Sequence, residues 1–132
     1  MRSLRCCTKY SNSKRILVVE DQPDNREIIR DMLADTEYEI AEVKDGEQAL
    51  AAVTKERPDV ILMGVQLPIM DGYEVTRRIK ATPALRSIPI IAVTSHALDG
   101  EEQIARAAGC DDYVTEPYSP RQLLAKIRQY LQ

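Results

Sequence analysis

The chain has 132 residues, 44% apolar and 30% charged, with a formal net charge of −3. That length supports one domain with its own core, and the mixed charge gives no electrostatic basis for holding nucleic acid or an anionic membrane. No apolar run reaches a membrane span or forms a secretory h-region, and three cysteines, an odd number, suit a reducing compartment, so a cytosolic domain is expected.

Residues 1–14, "MRSLRCCTKYSNSK", mix basic and small polar residues without a period and read as a flexible arm ahead of a folded domain over 15–132. Cys6 and Cys7 are adjacent and lack a C-x-x-C partner, so free thiols are expected there. Short apolar runs then recur at "ILVV" (16–19), "YEIAEV" (38–43), "VILM" (60–63), "IPIIAV" (88–93) and "DYVT" (112–115). The first, third and fourth are nearly continuous Ile, Val and Leu, the pattern of parallel strands covered on both faces. The second is mixed and suits a sheet edge.

Each run is followed by a helical segment that opens with a short polar residue and, three later, Glu or Gln: Asp24/Glu27, Asp45/Gln48, Asp71/Glu74, Asp99/Glu102 and Ser119/Gln122. The first member accepts hydrogen bonds from the free amides of the opening turn and the second reaches back, so five helices are predicted. Ile28, Ile29, Met32 and Leu33 make an apolar stripe in the first helix. Leu123, Leu124, Ile127 and Leu131 do so in the last, with Arg121, Lys126 and Arg128 left to water. Gly109 falls where a helix-ending left-handed residue is wanted, and Cys110 beside it reads as a small apolar packing residue.

Alternating strands and helices predict an α/β fold with a parallel sheet between two helical layers and a functional crevice beyond the carboxyl ends of the strands. No G-x-G-x-x-G or P-loop motif follows any strand. What the strand ends offer is Glu20 and Asp21 after the first, Gly64 after the third, Thr94 and Ser95 after the fourth, and Glu116-Pro117 after the fifth. Neighbouring carboxylates make a site for a hard divalent cation. Gly64, alone between apolar residues, asks for either unusual dihedrals or a close backbone approach.

The segments "ILVVEDQPDNREII", "PDVILMGVQLPIMDGYEVTRRIK", "IPIIAVTS" and "AGCDDYVTEPYSPRQLLAKI" resemble the receiver domain of bacterial two-component response regulators, over residues 15 to 131. The resemblance implies a flavodoxin-like, doubly wound sheet of order 2-1-3-4-5, with two helices on one face and three on the other. It implies that an Asp ending the third strand takes a phosphoryl group from a histidine kinase. Glu20, Asp21 and the backbone carbonyl of Gln66 would hold Mg²⁺ with that Asp, Thr94 would contact the phosphate, and Tyr113 would be the reorienting aromatic residue. The Glu116–Pro117 bond would be the family's cis-proline bond. The implied partners are a histidine kinase, a phosphotransfer protein or an effector, met on the face of the fourth helix, fifth strand and fifth helix, which also serves homodimers. Direct contact with nucleic acid or membrane is not expected.

Two positions depart from the family pattern. Gly64 stands where the phosphoacceptor Asp belongs, and Glu116 where a phosphate-pairing Lys belongs. A carboxylate nucleophile is thereby lost and a cation becomes an anion. The expectation is a non-enzymatic pseudo-receiver that acts by protein–protein contact, with Mg²⁺ binding weakened or lost; a working receiver altered at these positions reads the same. The alternative is a divalent-cation-binding regulatory module in which Glu116 joins Glu20 and Asp21. A metal-dependent hydrolase has less support, because the acid cluster lacks a nucleophile, and His96 offers only a lone base with no apparent partner.

Overall fold

The computed structural model describes residues 14–94, 100–116 and 119–131. Five strands, β1 (Arg15–Val19), β2 (Glu39–Val43), β3 (Val60–Gly64), β4 (Ile90–Thr94) and β5 (Asp112–Thr115), alternate with five helices. The helices are α1 (Pro23–Leu33), α2 (Gly46–Lys55), α3 (Gly72–Ala81), α4 (Glu101–Ala108) and α5 (Pro120–Leu131). The strands pair in parallel in the order β2-β1-β3-β4-β5. Sequence order therefore reverses direction at β1 and β3, and the crevice lies at their carboxyl ends.

Side chains alternate along each strand, and two apolar layers result. Ile16, Val18, Val60, Leu62, Ile91 and Val114 pack with Ile29 and Leu33 of α1 and Leu123, Ile127 and Leu131 of α5. Leu17, Val19, Ile61, Met63, Ile90 and Ala92 pack with residues of α2, α3 and α4. This gives the two-and-three division of helices. β3 and β4 are buried throughout while β2 is half exposed at the edge, as their compositions predict.

Three capping signatures form as expected. Asp45 and Asp71 accept from the amides of Gln48 and Glu74 at 2.8 and 2.9 Å. Ser119 Oγ accepts from Gln122 N at 2.9 Å while Gln122 Oε1 accepts from Ser119 N at 3.4 Å. The first signature fails: α1 begins at Pro23, with Gln22 as an N-cap whose side chain makes no capping bond, and Asp24 lies inside the first turn. Proline presets the helical φ and has no amide to satisfy, so it takes the opening position itself. Asp99 lies outside the described residues; the N-cap of α4 is Gly100, left-handed at φ 85°.

Two side chains differ from the stripes predicted for them. Ile28 is 52% exposed, because α1 turns only Ile29 and Leu33 fully inward. Lys126 is not left to water: its Nζ pairs with Asp112 Oδ1 at 3.0 Å, at the start of β5. Gly109 ends α4 at φ 111°, and Cys110 is buried behind it with its thiol 3.8 Å from Thr76 Oγ1. Burial pushes that thiol's pKa up, which suits a packing role. No helix among the described residues is long and apolar enough to cross a membrane.

Candidate functional site

At the carboxyl ends of β1 and β3 the chain leaves a cleft of about 680 Å³ whose lining includes Glu20, Asp21, Gly64, Gln66, Asp71, Tyr73 and Glu116. The fold thus brings together both acids after β1, the glycine ending β3 and the glutamate after β5. No lysine or arginine lines the cleft among the described residues. Thr94 ends β4, buried, and Tyr113 lies on β5, part-buried against the three-helix layer; neither is among the lining residues. Ser95, His96 and Pro117 lie outside the described residues, as do Cys6 and Cys7.

Glu20 is the best-held acid. Its side chain is buried, and its Oε2 accepts from Gln22 N at 3.1 Å and Asn25 Nδ2 at 3.3 Å. Arg26 reaches back one turn and donates to the Glu20 carbonyl at 2.8 Å, which ties the end of β1 to α1. The Glu20 carboxyl is raised above the ordinary carboxylate range, chiefly by burial; the two hydrogen bonds work against this, and Asp21 and Glu116 add smaller like-charge contributions. Burial outweighs the crowding of acids. Asn25 and Arg26 escaped the sequence reading, although both fall on the first turn after the acid pair.

Gly64 is closely surrounded. It is not among the glycines with positive φ, which are Gly100 and Gly109. A Cβ placed on it would lie 2.8 Å from the Val19 carbonyl oxygen and 3.2 Å from Glu20 Oε1. The end of β1 therefore leans onto the position a side chain would occupy, and the Glu20 carboxylate covers it. On the other side a Cβ on Gly72 would run into the Gly64 carbonyl oxygen, while Gly72 N donates to Val65 O at 2.8 Å. A Cβ at either glycine would meet backbone in this structure, at Gly72 because α3 starts directly on the end of β3.

Between them the loop makes a tight turn. Met70 N donates to Pro68 O at 2.7 Å across Ile69, whose φ is 71° and whose side chain is 86% exposed. An i to i+2 bond around a positive φ is the strained form of γ-turn, here on a β-branched residue.

Among the described residues no group of three or more Asp, Glu, His or Cys is arranged to hold an ion. Glu116 is near enough for Glu20 to feel its charge, yet it does not join Glu20 and Asp21 as a third ligand. The expectation of a three-carboxylate cation module is not supported by this geometry. Glu20, Asp21 and the Gln66 carbonyl are the groups that would hold Mg²⁺, which keeps several waters and takes one or two carboxylates.

The family model of the response regulator receiver domain matches residues 16–128. The chain belongs to the response regulator receiver family. DivK, the polar-differentiation response regulator of Brucella anthropi, is 39% identical to it over 118 residues, spanning 89% of this chain and 96% of that protein. The receiver domain of the sensor histidine kinase PA1611 of Pseudomonas aeruginosa, solved with a magnesium ion in its active-site cleft, is 38% identical with a TM-score of 0.83, over 90% of this chain and 98% of that one. The receiver domain of a signal-transduction histidine kinase of Syntrophus aciditrophicus is 33% identical with a TM-score of 0.84, over 90% of both chains. Receiver domains work in two-component signalling with histidine kinases, phosphotransfer proteins and effectors. This receiver domain has the family's sheet order and a cleft at the family's sheet edge.

Proposed function

We propose that this receiver domain signals without an aspartyl phosphate, as a pseudo-receiver. The observation that carries the reading is the end of β3: Gly64 stands where the resemblance puts the phosphoacceptor, and the Val19 carbonyl and Glu20 carboxylate crowd the space its side chain would need. Phosphoryl transfer to a receiver requires a carboxylate that attacks phosphorus and carries the product. A glycine supplies none. Glu116 lines the same cleft, and an anion at that point repels an incoming phosphodonor instead of steadying its charge.

The domain is therefore a binding module and not an enzyme. Its partners are a kinase, phosphotransfer protein or effector, met through α4, β5 and α5, with a homodimer formed through the same face. Mg²⁺ is held weakly or not at all, since among the described residues no third carboxylate is arranged with Glu20 and Asp21 to hold an ion. Incubating the full chain with acetyl phosphate and Mg²⁺ and measuring intact mass tests this. The expected outcome is no phosphoryl adduct on the chain, with an adduct appearing in the Gly64→Asp, Glu116→Lys double variant. A stable adduct on the unaltered chain would overturn the reading. Millimolar Mg²⁺ is expected to leave its melting temperature unchanged, because a ligand of the native state must raise it.

A further inference from the structure

α4 is the most lightly anchored helix of the fold. It has eight residues and buries only Ala105 and Ala108, whereas α5 buries Leu123, Ile127 and Leu131. Its exposed face carries Ile104, 51% accessible. Two alanine methyl groups bury little apolar surface, so the position of α4 depends on its polar ties.

Those ties differ between its ends. At the C-terminus Gly109 N and Cys110 N donate to Arg106 O and Ala105 O at 3.0 Å, Arg106 Nη1 donates to Asp111 O at 3.2 Å, and Cys110 is buried. At the N-terminus the cap is a left-handed glycine with no side-chain bond. Among the described residues, Glu101 ties that turn to α3: its Oε2 accepts from the Tyr73 hydroxyl. Tyr73 is 8% exposed and forms part of the cleft wall. Burial first, and then Glu101, keep its phenol firmly protonated, hence always a donor. The negative fields of Glu101 and Glu102 also reach Tyr113 on β5.

We propose that the Tyr73–Glu101 hydrogen bond is a latch: it seats the first turn of α4 against the wall of the acidic cleft, and breaking it lets α4 swing about its anchored C-terminal end. Whatever enters the cleft and turns the Tyr73 ring thereby alters the α4 surface. The latch uses neither Gly64 nor Glu116, so it stands whether or not the cleft accepts phosphate.

Amide hydrogen exchange on the full chain, resolved by residue, tests it with Tyr73→Phe, Glu101→Ala, their combination, and Glu102→Ala as control. Glu102 lies in the same turn and, among the described residues, pairs with Arg106 alone, at 3.2 Å between exposed side chains. Each latch variant is expected to speed exchange at Ile104 and Ala105 about tenfold, the effect of losing a hydrogen bond to a charged acceptor. Exchange in α5 stays unchanged, and the double variant is no faster than either single one. If Tyr73→Phe unfolds the domain, Glu101→Ala decides alone. Unchanged rates in α4, equal acceleration in α5, or an equal effect of Glu102→Ala would each overturn the latch.

Discussion

Putting a side chain back at Gly64 measures how tightly the end of β1 is set against β3. In Gly64→Ala the new Cβ meets the Val19 carbonyl oxygen at 2.8 Å, well inside the 3.4 Å at which ordinary contact begins. The obstacle is backbone, so the strand end must shift; overpacking of this kind costs about 1–3 kcal/mol. Gly64→Asp adds a carboxylate to the same strain, with Glu20 Oε1 only 3.2 Å from its Cβ. Two carboxylates roughly 5 Å apart repel by about 3 kcal/mol at an effective dielectric of 20, and protonation of Glu20, already raised, relieves part of this. Losses of about 2 kcal/mol for Ala and 3–5 kcal/mol for Asp are expected, against a total stability of about 5–15 kcal/mol for a domain this size. Urea unfolding at pH 7 in chelator reads both, and millimolar Mg²⁺ is expected to restore a part to the Asp variant alone. An Ala variant within 0.5 kcal/mol of the parent would refute the close-approach argument. The glycine would then be a missing side chain and nothing more.

The remaining predictions concern the loop and the sheet edge. Ile69 sits at φ 71° with its side chain 86% exposed, so Ile69→Asn relieves backbone strain while giving up little burial; a gain of about 1 kcal/mol in thermal or urea unfolding is expected. A loss instead would mean that the exposed isoleucine makes a contact worth more than its strain. Asp112 is pushed up by burial but held net below its ordinary 3.8 by hydrogen bonds from Tyr113 N and Lys126 and by the Lys126 charge. A depressed native pKa means stability present above 3.8 and lost as the pH falls through the native value. Asp112→Asn should thus cost about 1–2 kcal/mol at pH 7, and the gap to the parent should narrow as the pH is lowered below 3.8. A gap independent of pH would show that the charge contributes nothing.

Some of this molecule was legible residue by residue. The parallel sheet, its two helical layers and its strands followed from apolar runs of strand length separated by capped helical segments, because burial on both faces leaves a strand no polar positions. Asp45, Asp71 and Ser119 were readable as caps because a cap acts on amides two or three residues away. The same local rule misplaced Asp24, since Pro23 one position earlier outcompetes it, and Ile28 was assigned to a stripe that the orientation of α1 leaves in water.

The sequence by itself determined the family, the strand order that the family implies, and which acids stand at the strand ends. It also showed that position 64 bears no nucleophile, for that is a matter of composition. Only the tertiary structure showed what surrounds it. Val19 and Glu20 are far from Gly64 along the chain, and their approach to within a Cβ's reach exists only when β1 and β3 lie side by side. The tie between Tyr73 and Glu101 was invisible for the same reason: 28 residues separate them, with no period to link them. Local interactions with a fixed spacing can be read along the chain. Contacts that close a cleft have no spacing, and arise from packing alone.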